Sequence, residues 1–169
     1  YAYVPPGSTG LPLRSENGAT ILYFLDNAND NAVIQTPLIT NSGLLDWKTP
    51  ESGLVGTGLS IKELRADPGS GARTWIEKID PVASLEWQQS STTREGYLVS
   101  GTFRDGECVN GMQQVDEYLP GGYFHRPPSA ISGGPDAGTI SGALWFNRLL
   151  EKETVQFMPA CVAPPLVEQ

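Results

Sequence analysis

The apolar and polar positions of this chain form many short stretches that favour strands and are separated by turn residues. Residues 59–66 and 72–79 are rich in apolar and β-branched side chains, and the sequence DPGSG at 67–71 lies between them. Proline presets φ for such a turn, and glycine accepts a positive φ. Two strand-like stretches joined in this way predict a β-hairpin.

A second hairpin is predicted over residues 94–103 and 111–118, with a longer loop between them. Within this loop RDGE at 104–107 and Asn-Gly at 110–111 are turn sequences. Further strands are predicted where β-branched and aromatic residues concentrate, at 18–25, 32–36, 122–126, 140–149 and 154–158. Because 19 glycines and 14 prolines punctuate these strands, we expect an all-β fold.

The first apolar run, GATILYFL at 18–25, is typical of a strand buried on both faces. It follows two prolines at 5–6, and a similar order recurs where two prolines at 127–128 precede GALWF at 142–146. This internal echo predicts that residues 1–25 are the closing strands of a partial preceding module, with coincidence as the alternative.

The rest of the chain then divides into a connecting segment at 26–58, a main domain at 59–158 and a carboxyl-terminal tail at 159–169. Strands orphaned from their own module leave open edges that recruit other chains. We therefore expect a homo-oligomer or self-assembly through residues 1–25.

Charge and motif content exclude several classes of function. Nineteen acidic and eleven basic residues give a formal net charge of −8, so no basic surface is expected that would bind nucleic-acid phosphates or an anionic membrane. No apolar run approaches the roughly 20 residues that cross a bilayer. Neither a G-x-S-x-G nucleophile motif nor a glycine-rich phosphate loop occurs. We expect neither a nucleic-acid nor a membrane partner.

The two cysteines, Cys108 and Cys161, lack the C-x-x-C spacing of zinc and thioredoxin-like motifs. They are either unpaired thiols or a structural disulfide, which requires an oxidising compartment and a chain that returns to the second hairpin after Phe157. The chain begins at Tyr1, for which removal of a secretion signal is one explanation. An extracellular location is therefore favoured over a cytoplasmic one.

The order of motifs over 59–150 resembles the cupin superfamily. After the first hairpin come EGYLVSG at 95–101, GGYFHRPP at 121–128, a glycine-rich turn and GALWF at 142–146. The chain is most similar to a bacterial family with two cupin modules in tandem, related to the cupin domains of anti-sigma factors, with 1–25 as the end of the first module. This resemblance implies an antiparallel jelly-roll barrel, the double-stranded β-helix of cupins.

Cupins carry two motifs, G-x5-H-x-H-x3,4-E-x6-G and G-x5-P-x-G-x2-H-x3-N, whose three histidines and glutamate bind a metal at the centre of the barrel. In this chain Gln88 and Ser90 replace the paired histidines, Glu95 retains the glutamate and Ser132 replaces the last histidine. Amide and hydroxyl oxygens hold transition metals more weakly than imidazole does. No cofactor is therefore favoured. The alternative is a divalent transition metal bound by His125, Glu95 and Gln88, if strand alternation points His125 inward.

The function favoured by this pattern is a cupin-fold binding or structural module with a degenerate metal site, because a barrel keeps its fold after its chemistry is lost. Its expected ligand is a small apolar or carbohydrate-like molecule, with aromatic side chains as candidate walls: Trp87, Tyr97, Tyr123, Phe124 and Trp145. Core packing is the other role for these residues. A metal-dependent dioxygenase, isomerase or lyase is the alternative function. Glu95 either forms a surface ion pair or faces the interior, where it would suit acid–base chemistry.

Overall fold

The computed structural model describes residues 1–50 and 56–162, which form twelve antiparallel strands and one short 3-10 helix, Ser42–Leu44. None of the described residues belongs to a helix that is long and apolar enough to cross a membrane. The strands in chain order are β1 (Ala2–Tyr3), β2 (Leu38–Ile39), β3 (Gly56–Ala66), β4 (Arg73–Leu85), β5 (Trp87–Ser90), β6 (Arg94–Gly101), β7 (Phe103–Val109), β8 (Met112–Tyr118), β9 (Tyr123–Arg126), β10 (Ile131–Ser132), β11 (Ala143–Leu149) and β12 (Val155–Met158).

Two five-stranded sheets face each other. The first, here called the β3 sheet, has the order β3-β4-β11-β6-β9, and the second, the β5 sheet, has the order β12-β5-β10-β7-β8. Because the chain crosses repeatedly between the two sheets, apart from the β3–β4 and β7–β8 hairpins, it forms a jelly roll rather than a simple meander. The core lies between the sheets, where Trp145 of β11 meets the ring of Phe103 of β7 edge-on at 5.6 Å. Leu98 in this core is fully buried.

The first predicted hairpin is confirmed as β3 and β4. The Asp67 carboxylate fixes its turn by accepting hydrogen bonds from the backbone N–H groups of Gly69 and Ser70, each at 3.0 Å. The same carboxylate accepts from the N–H groups of Val33 and Ile34 and so holds the connecting segment against the hairpin. One buried acid therefore organises both the turn and the chain that precedes the barrel.

The second predicted hairpin is wrong in its strand pairing. Residues 94–101 form β6 in the β3 sheet, whereas residues 103–109 form β7 in the β5 sheet, so the chain changes sheets at Gly101, whose φ is 84°. RDGE at 104–107 is consequently part of a strand and not a turn. The reversal between β7 and β8 occurs at Asn110 and Gly111, whose φ values of 53° and 78° are those of a two-residue hairpin turn.

The strands predicted at 18–25 and 32–36 are not formed. The first segment is extended without ladder pairing, and Ile21, Tyr23 and Leu25 are 60%, 77% and 84% exposed. A continuous apolar run fits a buried strand or an arm laid on a surface equally well, and here only Phe24 docks, by stacking on Phe146 at 5.8 Å. The strands predicted at 122–126, 140–149 and 154–158 are confirmed as β9, β11 and β12. Residues 163–169 of the predicted tail lie outside the described residues.

Candidate ligand site in the barrel interior

Strand alternation directs four residues of the β3 sheet into the barrel. On β4 and β11, Asn147 lies opposite Trp75 and Trp145 lies opposite Glu77, and all four are buried on the inner face. The neighbouring position on β6 that shares this face is Arg94, which lies opposite Leu149. The inner face therefore combines indole rings with an acid, an amide and a guanidinium.

The β5 sheet supplies the opposite wall. Gln88 of β5 lies opposite Ser132 of β10, and Ser132 lies opposite Glu107 of β7, so these side chains share the inner face with Asp105. Together the two sheets enclose a cavity of about 70 Å³. A space of this size holds several water molecules or a small organic group.

Most of the charge inside the barrel is paired. The Arg126 guanidinium donates to the carboxylate of Asp105 and, at 3.3 Å, to Glu107. Arg94 Nε donates to Glu153, which also accepts from Ser90 Oγ at 2.5 Å. Burial raises the pKa of Asp105, and Arg126 opposes this shift.

Glu77 has a different environment because its nearest polar partner is neutral. Its side chain is 6% exposed, and Asn147 Nδ2 donates to its Oε2 at 2.8 Å. Burial raises the pKa of Glu77 to about 7, although the Arg94 charge, the nearby Trp75 indole N–H and the hydrogen bond from Asn147 act to lower it. The carboxyl group therefore changes its protonation state near neutral pH.

Two polar atoms that line this cavity lack partners. Gln88 Oε1 and Trp75 Nε1 are buried, and neither has a hydrogen-bond partner among the described residues. Trp75 Nε1 lies close enough to Glu77 to lower its pKa, but the contact does not reach hydrogen-bond geometry. Two residues that line the same cavity, one on each sheet, thus carry an unpartnered acceptor and an unpartnered donor, which a ligand reaching both atoms would satisfy.

The residues at the cupin metal positions do not fit a transition metal. Gln88 and Ser132 face the cavity, but Ser90 is bonded to Glu153. The cupin motif allows three or four residues before its glutamate, and the inward residue at that spacing is Arg94. A guanidinium at a ligand position repels a divalent cation. Within 1–50 and 56–162, no group of three His, Cys, Asp or Glu residues has metal-binding geometry.

Glu95 and His125 lie opposite each other on β6 and β9, on the outer face of the β3 sheet. The Glu95 carboxylate accepts from the Tyr123 hydroxyl and, at 2.5 Å, from Arg148 Nε. His125 is exposed, because alternation along β9 turns Phe124 and Arg126 inward instead. The structure therefore does not bring His125, Glu95 and Gln88 together around one point.

The five candidate aromatic walls divide between the two faces. Phe124 and Trp145 line the cavity, with ring centroids 5.3 Å apart. Tyr97 and Tyr123 lie opposite each other on the outer face, where burial and the Glu95 carboxylate raise the pKa of Tyr123 to about 12. Trp87 precedes Gln88 and is buried on the reverse side of β5, against Gly134.

The sequence reasoning missed six interior residues that the site uses, namely Trp75, Glu77, Arg94, Asp105, Arg126 and Asn147. For two of them a signal was present, because Trp75 and Glu77 alternate in phase with Ile79 within a predicted strand. Asp105 carried a misleading signal, since Asp-Gly is a turn sequence. Arg94 carried none, because only the register shows which of residues 94 and 95 faces inward.

Cys108 and Cys161 are joined in a disulfide, with their Cα atoms 5.4 Å apart. The chain after β12 does return to β7, as the disulfide alternative required. The bond ties the residues after β12 to β7, whereas β12 itself pairs with β5.

Solved structures with the same architecture were found by comparison. A proposed acetylacetone dioxygenase from Methylibium petroleiphilum superimposes with a TM-score of 0.58 at 16% identity, covering 85% of this chain and 90% of that chain. The polyketide cyclase RemF from Streptomyces resistomycificus gives 0.52 at 15% identity, covering 75% and 81%. An RmlC-like cupin from Shewanella frigidimarina gives 0.47 at 16% identity, covering 65% and 86%.

These likenesses, at such low identity, show the fold alone. The chain has the antiparallel cupin-type jelly-roll fold, as the motif order implied. No protein-family model matches the chain, and no curated protein sequence matches it. The chemistry of the site therefore has to be argued from the side chains of this chain.

Proposed function

We propose that this protein is a cupin-fold binding module that holds a small neutral organic molecule inside the barrel without a metal. The observation that carries this proposal is the Gln88 amide oxygen, which is buried without a hydrogen-bond partner among the described residues at the position of the first metal-binding histidine of cupins. A buried acceptor left unpaired is costly, and a ligand with a hydrogen-bond donor would satisfy it.

A neutral ligand is favoured because the interior charges already have partners. Arg126 is paired with Asp105 and Glu107, and Arg94 with Glu153. A charged ligand would lose its hydration without meeting an uncompensated charge of opposite sign, apart from Glu77 when it is ionised. The rings of Phe124 and Trp145 provide apolar contact for the remainder of such a molecule.

The binding proposal is tested by NMR titration of the tryptophan indole N–H signals with two small neutral probes, N-methylacetamide and phenol. Trp75 and Trp145 line the cavity, whereas Trp47 lies under Lys62 on the surface and Trp87 faces away, so the protein contains its own controls. We expect saturable shifts at the two cavity tryptophans with at least one probe. If neither probe moves them, the proposal is wrong.

The rival function is a metal-dependent cupin enzyme, such as a dioxygenase, isomerase or lyase, with a divalent transition metal as cofactor. The names of the two neighbours above a TM-score of 0.5, a proposed dioxygenase and a cyclase, favour it. Elemental analysis of protein purified without chelator separates the two functions. We expect substoichiometric iron, copper, nickel, manganese and zinc, together with no oxygen uptake when acetylacetone is added. Stoichiometric metal would overturn our preference.

We further propose a tandem-cupin ancestry, self-association and an extracellular location. The motif order supports the kinship with the tandem family related to anti-sigma-factor cupin domains. The exposed apolar side chains of Ile21, Tyr23 and Leu25 support the formation of homo-oligomers. The disulfide supports an extracellular location, because such bonds persist in oxidising compartments. Light scattering at micromolar concentration tests the assembly, and a monomeric mass would reject it.

A further inference from the structure

We propose that the barrel recognises its ligand through a proton-coupled contact, in which Trp75 and the protonated Glu77 donate to one ligand oxygen while Gln88 accepts from the ligand's opposite end. This inference rests on the proposed function and narrows the ligand to a class. The class is a neutral molecule that carries a carbonyl-type oxygen at one end and an N–H or O–H at the other, of which a secondary amide is the simplest member.

The donors of this contact lie side by side on one strand. Trp75 and Glu77 are two positions apart on the inner face of β4, and Asn147 lies opposite Trp75 on β11. The Asn147 amide donates to Glu77 Oε2 at 2.8 Å and so fixes the orientation of the carboxyl group. Because Trp75 Nε1 has no partner among the described residues, a ligand oxygen placed beside it would accept from both the indole and the carboxylic acid.

The acceptor of the contact lies on the facing sheet. Gln88 projects inward from β5 opposite Ser132, and its Oε1 is the orphaned acceptor of the cavity. The two sheets therefore require different groups on the ligand. A hydrogen-bond acceptor must point toward β4, and a donor must point toward β5. A trans secondary amide presents its C=O and N–H in opposite directions, which matches this arrangement.

The coupling to a proton follows from the position of Glu77. Burial raises its pKa to about 7, so at neutral pH the carboxyl group exists in both states, and only the protonated state donates a hydrogen bond. A neutral ligand that expels water from the cavity also disfavours the carboxylate. Above pH 7, where Glu77 of the free protein is mostly ionised, binding of the ligand should therefore be accompanied by protonation of Glu77.

Other charged groups face Glu77 from the elements around it. They are Arg94 with Glu153, from β6 and the loop after β11, and Arg126 with Asp105 and Glu107, from β9 and β7. From β3 and β11 the directly opposed residues are Ile61 and Trp145, which do not titrate. Asp105 is the rival source of a pH effect, because burial raises its pKa as well.

The experiment follows the Trp75 indole N–H signal while the full chain is titrated with N-methylacetamide at pH 6 and pH 8. For a site that binds only the protonated acid, the apparent Kd should rise about tenfold over this range. Methyl acetate, which has the same shape but no N–H, is the matched probe and should bind more weakly at both pH values.

Four variants assign the pH dependence and the preference for the amide to individual residues. Glu77→Gln, which keeps a donor but cannot titrate, should bind with no pH dependence. Gln88→Met should lose the preference for the amide over the ester, whereas Gln89→Met, which alters the outward neighbour on β5, should keep it. A profile flattened by Asp105→Asn but not by Glu77→Gln would overturn the assignment, as would wild-type binding that does not change with pH. Failure of N-methylacetamide at every pH while phenol still binds would overturn this inference alone, whereas failure of both N-methylacetamide and phenol would reject the proposed function as well.

Discussion

Single side chains set the chemistry of this barrel because every inward position faces the same small space. Residues 94 and 95 illustrate the point: the guanidinium of the first is directed inward, and the carboxylate of the second binds Tyr123 and Arg148 on the outer face. A shift of one residue in strand phase would exchange them and place an acid among the metal positions. The register of β6 therefore decides whether a guanidinium or a carboxylate faces the cavity.

Glu77, one of the acids inside the barrel, should make the stability of the fold depend on pH. Its pKa is about 7 in the folded chain against an ordinary 4.5, so the unfolded chain holds fewer protons between these values and stability falls as the pH rises through this window. The loss is on the order of 3 kcal/mol for a fully buried group. Urea unfolding of wild type and Glu77→Gln at pH 5 and pH 8 measures it. We expect the variant to gain relative to wild type at pH 8, and equal differences at both pH values would contradict this.

The contribution of Asp67 to stability should depend on pH with the opposite sign. Burial acts to raise its pKa, but hydrogen bonds from the backbone N–H groups of Ser70, Ile34, Val33 and Gly69 outweigh burial and hold the pKa well below its usual value. Its contribution to stability is present at neutral pH and is lost as the pH falls through the acid range. Asp67→Asn should lower the free energy of unfolding at pH 7 by about 2 kcal/mol. Asp46→Asn, at an exposed position, is the control in the same urea experiment.

Only part of the candidate site was predictable from the sequence. The absence of histidine at positions 88, 90 and 132 is visible in the sequence, and so are Phe124 and Trp145 as aromatic residues on strands. The Arg126 ion pair joins the two sheets and the Arg94 ion pair joins a strand to the loop after β11, and both depend on register and sheet order. The local sequence around each arginine therefore does not reveal its partner.

At the scale of elements, residues 10–28 form an extended segment, here called the arm, that contacts the outer face of the β3 sheet through Phe24 and Asp26. Asp26 accepts two hydrogen bonds from Arg148, at 2.7 and 2.8 Å, and the Arg148 guanidinium lies 3.9 Å above the ring of Phe24. Phe24 in turn stacks on Phe146. Since the neighbouring apolar side chains Ile21, Tyr23 and Leu25 are exposed, these contacts are the ones that hold residues 24–26 on the sheet.

Arg148→Gln should therefore release the arm while leaving the barrel folded. Hydrogen exchange of backbone amides in residues 20–28 should speed up several-fold relative to wild type, because the stacked guanidinium and its ion pairs are lost together. Arg14→Gln, on the exposed part of the same arm, is the matched control and should leave exchange unchanged. Slow exchange in Arg148→Gln would show that other contacts hold the arm.

The two hairpin predictions differed in outcome for a physical reason. DPGSG at 67–71 is a turn whose own side chain, Asp67, closes it, so local sequence decides the structure. RDGE at 104–107 has similar residues, but Asp105 is held by Arg126 across the barrel and remains in a strand. A tertiary ion pair overrides turn propensity at this point.

At the scale of the whole molecule, the disulfide closes the described chain on itself. It links β7 to the residues after β12 and spans 53 positions, for which chain-entropy reckoning gives up to about 4 kcal/mol of stability. The double variant Cys108→Ser and Cys161→Ser should unfold at a markedly lower Tm than wild type by calorimetry. Reduced wild-type protein should match the variant, and an unchanged Tm in both would show that the two sheets stabilise the fold without the bond.

The Arg94–Glu153 pair also limits how this barrel can change over evolutionary time. Any lone imidazole introduced at positions 88, 90 or 132 would share its space with a resident positive charge that already has a carboxylate and a serine as neighbours. Removing that charge first would strand Glu153 in a nearly dry environment. Single substitutions on either route therefore lose stability before a set of metal ligands is complete.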